Sequence, residues 1–334
     1  MLEEQYGFIQ GGETYLITGA NGFIGKKIVY ALWEYNKRAV DKCCKIIIVV
    51  RNYEKAVKIY GQILSDDNVN LIINDNKECI HLDEKVDWII SAAAVTKKEK
   101  IRCYPVDTLN DNVFGIYHCL ELAKEKKVKG IVFISSVQVY GRVQSVQISE
   151  DDFGKLDCMK EEAVYPESKR MGEMLVWAYA KQFHVNAKCV RLFHVYGEGE
   201  EYNNGTFLSD FLSDIALGKN IVINGKGEER RNLCYIMDVI RGIFCVLYKG
   251  KQGEAYNVGS EYNNYTIREY AELLQEAARN MGRNIKIIVK NREYMNGKII
   301  DIQVPCVEKL KLLGWEEKNK NIMLNFENML KQFT

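Results

Sequence analysis

The chain has 334 residues, of which 47% are hydrophobic and 27% charged, and its formal net charge at pH 7 is +1. This composition predicts a well-packed globular protein, and the length suits one large α/β domain with a smaller partner. Because positive and negative charges balance, nothing favours nucleic acid or a membrane surface as a partner, and we expect neither.

The first half of the chain alternates short apolar runs with segments of helical spacing. The apolar runs are continuous, which indicates strands buried on both faces, and their alternation with helices predicts a doubly wound parallel sheet in an α/β fold. Strands are predicted at Thr14–Thr18, Lys45–Val50, 70–73, 87–92, 130–135 and 187–193. Helices are predicted at about 22–35, 110–126 and 166–183.

A glycine-rich turn follows the first predicted strand and leads into the first predicted helix. Gly19, Gly22 and Gly25 have GxxGxxG spacing, which brings backbone N–H groups and a helix N-terminus against a pyrophosphate. A phosphate-binding P-loop is excluded. Five residues rather than four separate Gly19 from the following Gly-Lys pair, and Lys27 stands where Ser or Thr should bind magnesium. The turn therefore predicts a Rossmann-type nicotinamide dinucleotide site.

The ends of the second and third strands should contact the adenosine half of the dinucleotide. Arg51 and Asn52 occupy the place where an acidic residue would bind the ribose 2′-hydroxyl of NAD. Arg51 suits the 2′-phosphate of NADP but also packs well beside adenine. NAD is the expected cofactor, with NADP left open by Arg51. Asp75 and Asn76 are expected at the adenine end.

The sequence Tyr-Pro-Glu-Ser-Lys places Tyr165 and Lys169 four residues apart, on one face of a helix. A tyrosine hydroxyl titrates near ~10, but a nearby ammonium and the positive nicotinamide favour the phenolate, so Tyr165 could act as a base. Ser135 and Ser136 end a strand and supply a hydroxyl for the substrate oxygen. Because the residue before a proline disfavours the α region, Pro166 predicts that the helix begins at Tyr165 or just after it.

After Tyr196 the sequence becomes more polar and richer in glycine, which indicates a smaller lobe over the carboxyl ends of the strands. Polar loops are predicted at 198–205 and 225–232, helices at 206–218 and 269–281, and a short strand at 221–223.

The ten cysteines and four histidines show no metal-ligand spacing. Cys43 and Cys44 are adjacent and the others are scattered, which fits neither a zinc site nor a disulfide framework. We expect reduced cysteines, no metal and a cytoplasmic location. Residues 1–12 have no apolar core and no apolar run has membrane-spanning length, so we expect neither a signal peptide nor a membrane span.

Taken together, these motifs resemble the extended short-chain dehydrogenases/reductases, in particular nucleotide-sugar epimerases, dehydratases and decarboxylases of the NAD-dependent epimerase/dehydratase family. The resemblance covers nearly the whole chain, and its blocks occur in family order: TGANGFIG, SAAAVT, NDNVFG, FISSVQVYG, YPESK, RLFHVYGEG, GKGEERRNLCYIMD and EAYNVGS. It implies a dinucleotide-binding Rossmann domain of residues 1–193, to which 234–260 return. It also implies a substrate-binding lobe of 194–233 and 261–334.

The resemblance implies a role for each matching residue, with a nucleoside-diphosphate sugar as substrate. Catalysis falls to Ser136, Tyr165 and Lys169. Substrate binding falls to Thr96 and Ser136 at the sugar and to Arg231 at the diphosphate, where His194 is a further candidate. Taken with the motifs above, the expected cofactor-binding residues are Gly19, Asn21, Gly22, Phe23, Ile24, Gly25, Arg51, Asn52, Asp75, Asn76, Ala92, Ala93, Ala94, Asn112, Tyr165 and Lys169.

Departures from the family pattern narrow the expected activity. Val137 and Gln138 stand where 4,6-dehydratases carry Asp-Glu, which disfavours elimination of water, and decarboxylases usually have Glu in place of Gln138. His194 replaces a more usual Asn and either contacts the diphosphate or is a buried, hydrogen-bonded histidine. Near residues 296–301 the family often offers a second arginine, and here only Lys298 occurs.

We therefore expect an epimerase that works by hydride transfer at C4 of the sugar. The alternatives are a UDP-glucuronate decarboxylase-like enzyme, a 4-dehydrogenase or 4-ketoreductase, and a non-catalytic dinucleotide-binding regulator. The resemblance also implies a homodimer formed through the helices at 112–126 and 166–183. Its candidate interface positions, unless they face the sheet, are Tyr117, Leu120, Met174 and Trp177.

Overall fold

The computed structural model describes residues 6–39, 41–200, 205–290 and 304–333. Its strands, in chain order, are β1 (Thr14–Thr18), β2 (Lys45–Val50), β3 (Val69–Ile73), β4 (Trp88–Ser91), β5 (Gly130–Ser136), β6 (Gln147–Ile148), β7 (Ala187–Leu192), β8 (His194–Tyr196), β9 (Ile221–Asn224), β10 (Arg230–Tyr235), β11 (Ala255–Val258), β12 (Asn264–Thr266), β13 (Ile287–Lys290) and β14 (Val304–Pro305).

The α-helices, in chain order, are α1 (Phe23–Asn36), α2 (Tyr53–Tyr60), α3 (Lys98–Cys103), α4 (Pro105–Lys126), α5 (Val164–Phe183), α6 (Phe207–Ala216), α7 (Ile236–Lys249), α8 (Ile267–Asn280), α9 (Glu308–Lys311) and α10 (Ile322–Leu330). Short 3₁₀ helices at Val137–Tyr140 and Glu161–Ala163 lie before α5. Among the described residues, no helix is long and apolar enough to cross a membrane.

A seven-stranded parallel sheet organises the molecule, with strand order β11-β7-β5-β4-β1-β2-β3. The predicted doubly wound α/β fold is confirmed, and the six strands predicted before residue 194 all lie in this sheet. The chain runs outward from β1 in both directions, first through β2 and β3 and then through β4. That switch of direction opens a crevice at the carboxyl ends of β1 and β4, where folds of this kind bind ligands.

Alternate residues of the sheet strands face two separate apolar cores. Tyr15 and Ile17 of β1 pack on the side of α1 and α7, whereas Leu16 packs on the side of α4 and α5. The central strands are buried along their whole length, while the edge strand β3 is only half buried. Burial on both faces is the physical reason why these strands are continuously apolar rather than alternating.

After β7, β11 returns to the main sheet, and other strands build smaller sheets beside it. β10 lies between β8, in parallel, and β12, antiparallel, and β9 pairs with β13. The prediction of a loop over 225–232 is wrong at its end, because β10 begins at Arg230. Its charged residues gave no strand pattern in the sequence, although Arg230–Asn232 pair with β12 and Leu233–Tyr235 pair with β8. The division into two lobes remains a prediction.

Helix α5 begins at Val164, one residue earlier than the sequence predicts. Tyr165 is thus helical although it precedes Pro166. The missing N–H of Pro166 costs nothing in the first helical turn, where no backbone acceptor would be available. The Ser168 hydroxyl donates to the carbonyl oxygen of Tyr165 at 2.7 Å, which further fixes this turn. Tyr165 and Lys169 therefore share a regular helix.

Candidate active site

The glycine turn between β1 and α1 is shaped by close backbone packing. Gly19 has a φ of +64°, and a Cβ there would lie 2.5 Å from the Cα of Ala93 and 2.6 Å from the backbone of Ala92. A Cβ on Gly25 would lie 2.6 Å from the carbonyl oxygen of Gly19. Only glycine fits these positions, and α1 starts from the N-cap Gly22, which has no side chain to take up the helix N–H groups.

Asn21, inside the turn, has a buried polar atom that a bound dinucleotide could satisfy. Its Nδ2 donates to the carbonyl oxygen of Asn52 at 3.0 Å, which links the ends of β1 and β2. Within the described residues, its buried Oδ1 has no hydrogen-bond partner. A buried amide oxygen without a donor is costly, so the turn suits a ligand that supplies one. Phe23 and Ile24 are half buried and anchor α1 in the apolar core.

The adenine end expected from the sequence is assembled from the ends of β2 and β3. The Asn52 side chain accepts a hydrogen bond from the backbone of Lys55 and caps α2. Asp75 is exposed, and its carboxylate accepts from the backbone N–H of Lys77 at 3.1 Å. The Asn76 side chain lies against α4, 3.5 Å from where a Cβ on Gly115 would stand.

Arg51 has a partner that the sequence did not identify. Its NH1 lies 2.6 Å from Oδ2 of Asp111 on α4. Neither interpretation made from the sequence, a 2′-phosphate contact or packing beside adenine, included this ion pair. No local pattern indicates it, because the two residues are 60 positions apart.

Ser136, Tyr165 and Lys169 converge at the carboxyl end of β5. The Ser136 hydroxyl accepts from the backbone N–H of Gln138 at 3.3 Å and lies near enough to the phenol of Tyr165 to act on its pKa. The Lys169 ammonium is 5.8 Å from the centre of the Tyr165 ring and 4.6 Å from that of Phe133, and its Nζ donates to the carbonyl oxygen of Ile134 at 2.7 Å. With 3% of its surface exposed, Lys169 is one of the most buried charged residues here.

Burial shifts the pKa values of both titratable members of this group. It lowers the pKa of Lys169 to about 7, although the Glu173 carboxylate opposes the shift. It raises the pKa of Tyr165 to about 12, although the nearby Ser136 hydroxyl acts to lower it. Without a ligand, the protein therefore does not show the expected lowering of the Tyr165 pKa by Lys169. A cofactor charge would have to provide it.

Asn112 connects the loop after β4, which packs against the glycine turn, to helix α5. Its Oδ1 accepts from the backbone N–H of Val95 at 2.7 Å, and its Nδ2 donates to the Ser168 hydroxyl at 2.9 Å. Ser168 in turn donates to Tyr165. Ala92, Ala93 and Ala94 precede Val95 in the loop that leaves β4, so this chain of bonds fixes the loop relative to α5.

A buried ion pair behind the site was missed from the sequence. Glu173, one helical turn after Lys169, pairs with Arg191 of β7 at 2.8 Å and accepts from the Ser135 hydroxyl at 2.6 Å. The neighbouring Tyr140 hydroxyl lies 3.0 Å from Arg191. These contacts fasten α5 to the ends of β5 and β7. They join residues that only the parallel sheet brings together.

Of the residues predicted to bind substrate, Thr96 and His194 follow the carboxyl ends of β4 and β7, at the same edge of the sheet as Ser136. Thr96 is exposed in the loop after β4, and His194 and Arg231 lie on the paired strands β8 and β10. Burial, with the nearby positive charge of Arg231, lowers the pKa of His194 to about 4. The imidazole is therefore neutral at pH 7. Both interpretations of His194 stay open, and Lys298 lies outside the described residues.

The model of the NAD dependent epimerase/dehydratase family matches residues 15–259, and this chain belongs to that family of NAD-dependent enzymes. The resemblance inferred from the motifs is thus confirmed, as is the expected cofactor NAD. No group of three metal-ligating side chains occurs among the residues described above.

Individual relatives agree with this family. UDP-glucuronic acid decarboxylase 6 of Arabidopsis thaliana is 27% identical over 314 residues, covering 94% of this chain and 87% of the relative. Two solved structures share the fold. They are UDP-glucose 4-epimerase from Thermotoga maritima (21% identity, 96% and 98% coverage, TM-score 0.78) and UDP-glucuronic acid 4-epimerase from Bacillus cereus in complex with UDP-glucuronic acid and NAD (19%, 96% and 100%, TM-score 0.75).

Proposed function

We propose that this chain is a nucleoside-diphosphate-sugar epimerase that oxidises the C4 hydroxyl of its substrate and then reduces the same carbon again. The observation that carries the proposal is the convergence of Ser136, Tyr165 and Lys169 beside the glycine turn. The bound complex of the Bacillus cereus epimerase supports the substrate class. A regulator without catalysis would have no use for this buried group.

In the proposed mechanism, the bound NAD supplies the hydride acceptor at C4. Ser136 holds the substrate oxygen, and Tyr165 takes the hydroxyl proton and later returns it. Lys169 is fixed by the carbonyl oxygen of Ile134, so its nitrogen stays beside the tyrosine ring. The open N-terminus of α1 and the glycine turn would hold the pyrophosphate of the cofactor.

The substrate diphosphate is assigned to Arg231, whose guanidinium suits a bidentate contact with phosphate oxygens. His194, neutral at pH 7, can donate one hydrogen bond there without adding charge. Thr96 and Ser136 would face the sugar. The neighbouring positions of His194 and Arg231 on paired strands support one common subsite.

An epimerase is preferred over a dehydratase because no carboxylate follows Ser136. Val137 is buried, and Gln138 is exposed and uncharged, so neither can supply the acid and base that elimination of water needs. Decarboxylation of UDP-glucuronate is the second candidate, favoured by the 27% identity to the Arabidopsis thaliana decarboxylase.

The test is to incubate the purified full-length chain and NAD with UDP-, GDP-, CDP- and dTDP-hexoses and with UDP-glucuronate. An epimeric sugar nucleotide without net change in NADH, detected by NMR, is the expected product. Release of carbon dioxide with a pentose product would favour the decarboxylase. Stoichiometric consumption of added NADPH without an epimer would contradict the epimerase.

The proposed enzyme acts as a homodimer through the outer faces of α4 and α5. Tyr117, Met174 and Trp177 are 37%, 59% and 54% exposed, an unusual concentration of large apolar side chains. Leu120 is not one of them, because it is fully buried against the sheet, so its assignment to the interface is wrong. Trp177→Glu should convert the dimer to a monomer in sedimentation. The matched control Phe153→Glu, another exposed aromatic outside both helices, should not.

A cytoplasmic location is also part of the proposal. It is supported by all ten cysteines being free thiols in the structure. Thiol titration of the unfolded protein, isolated under anaerobic conditions without added reductant, should count ten reactive groups. Oxidised pairs would contradict the assignment.

A further inference from the structure

Arg51, at the adenosine end of the proposed cofactor site, is held across the crevice. It directly follows β2, yet its guanidinium reaches α4, where NH1 lies 2.6 Å from Oδ2 of Asp111. The Asp111 side chain is 9% exposed and that of Arg51 is 44% exposed. The pair therefore has one buried member that needs a cation and one accessible member that can meet a ligand.

Asp111 belongs to a charged cluster that contains more carboxylates than cations. Its other oxygen, Oδ1, lies 3.8 Å from Nζ of Lys77, and that ammonium is 2.8 Å from Oδ1 of Asp107. Asp75 is close enough to Lys77 to raise the pKa of its ammonium, together with Asp107 and Asp111. Arg51 and Lys77 thus face three carboxylates, and the cluster has one net negative charge.

This arrangement treats the two nicotinamide dinucleotides differently. A 2′-phosphate adds two negative charges beside the cluster, and it would have to share the guanidinium of Arg51 with Asp111. That sharing would place a dianion next to a buried carboxylate and weaken the neutralisation of that carboxylate by its closest cation. A free 2′-hydroxyl carries no charge, so the Arg51–Asp111 pair can stay intact when it binds.

We propose that Asp111 is a specificity-determining residue, which selects NAD over NADP by holding Arg51 away from a 2′-phosphate. The inference rests on the proposed function, because it presumes a dinucleotide site at this crevice. The sequence allows Arg51 either to contact the 2′-phosphate of NADP or to pack beside adenine. The proposal favours the second role, because the charge of Arg51 is already neutralised by Asp111. An arginine after the second strand is then compatible with a preference for NAD.

The test measures dissociation constants of NADH and NADPH for the full-length chain, freed of bound nucleotide, by titration of nicotinamide fluorescence. The wild type should bind NADH at least about tenfold more tightly. Asp111→Asn releases Arg51 and should raise NADPH affinity about tenfold, the effect of one charged hydrogen bond, while NADH affinity changes less than about twofold. Adding Arg51→Gln to that variant should abolish the gain.

Asp107→Asn is the matched control, because it removes an equal charge from the same cluster and from the same helix without touching Arg51. It should keep the wild-type preference. Equal shifts in the two aspartate variants would overturn the proposal, as would a wild type that binds NADPH as tightly as NADH. If Asp111→Asn does not fold, Arg51→Gln alone still tests the proposal. It should leave NADPH affinity unchanged, and a loss of NADPH affinity would show that Arg51 reaches the 2′-phosphate despite Asp111. Binding of neither dinucleotide would instead contradict the proposed function.

Discussion

The two edges of the central sheet both carry buried polar groups, but the two sets have different partners. At the amino edge, Asp87 accepts from the backbone N–H of Thr14 at 3.0 Å, and Glu13 accepts from Trp88 and from Lys129. An ion pair completes this set, because Oδ1 of Asp87 lies 2.7 Å from Nζ of Lys85. At the carboxyl edge, the phenol of Tyr165 and the hydroxyl of Ser136 face a crevice, and satisfied residues such as Asn112 hold them in place.

Two buried lysines make the comparison sharper. Lys169 lies at the carboxyl edge, and Lys188 of β7 lies at the amino edge, where its Nζ donates to the carbonyl oxygen of Leu247 at 3.0 Å. Burial lowers the pKa of the first to about 7 and of the second to about 8. Equal burial and similar pKa values therefore do not identify a functional lysine. Its position at the ligand-binding edge of the sheet does.

The largest expected effect is that of Tyr165→Phe, which removes the proposed base. Turnover should fall by about 10²- to 10⁴-fold, while the affinity for NADH stays within about twofold, because the glycine turn is unchanged. Steady-state assays with the sugar nucleotide that the proposed incubation identifies, together with fluorescence titration, measure the two quantities.

Tyr179→Phe is the control on the same helix. Tyr179 donates to Glu121 at the far end of α5, towards the amino edge, and should be replaceable with little loss of turnover. Equal losses in the two tyrosine variants would show that the helix, rather than the Tyr165 hydroxyl, is what activity needs.

A smaller effect is expected for the two lysines, each replaced by Met. Lys169→Met should lower turnover about 100-fold, whereas Lys188→Met should leave it within about threefold. Both should raise the free energy of unfolding at pH 6 by roughly 1–3 kcal/mol, because each removes a buried ammonium. Urea denaturation and steady-state kinetics separate the two quantities.

The sign of the pH dependence follows from the lowered pKa values. Between the folded pKa near 7 or 8 and the ordinary value of 10.5, the unfolded chain binds a proton that the folded chain does not. Wild-type stability therefore rises with pH across this interval. The gain from either substitution should shrink from pH 6 to pH 9, and a gain that is independent of pH would argue against a buried charge as its cause.

The smallest expected effect comes from Asp87→Asn at the amino edge. Burial opposes ionisation of Asp87, but hydrogen bonds from Lys85 and Thr14, with the charge of Lys129, keep the pKa of its carboxyl below the ordinary value. Its contribution to stability is present above pH 4 and lost as the pH falls through the folded pKa. The free energy of unfolding of the variant should be about 1 kcal/mol lower than that of the wild type at pH 7, and the difference should be smaller at pH 3. Turnover should not change. A loss of turnover would contradict the assignment of a purely structural role to the amino edge.

Sequence patterns predicted the local elements well because their causes are local. Continuous apolar runs identified the strands of the main sheet, and glycine spacing identified the turn whose backbone approaches Ala92 and Ala93. The four-residue spacing of Tyr165 and Lys169 placed both on one helix, and the start predicted for that helix from Pro166 was one residue too late. Each of these depends on neighbours within a few positions.

Tertiary structure alone decided which distant residues meet. Nothing in the sequence joins Arg51 to Asp111 or Glu173 to Arg191, since each pair is formed by elements that the parallel sheet brings side by side. Burial likewise set the pKa of Tyr165 above its ordinary value, because desolvation depends on the whole fold rather than on one neighbouring ammonium. The sequence by itself determined the chemistry available at the crevice. The packing of the sheet and helices decided the partners and charge states with which that chemistry works.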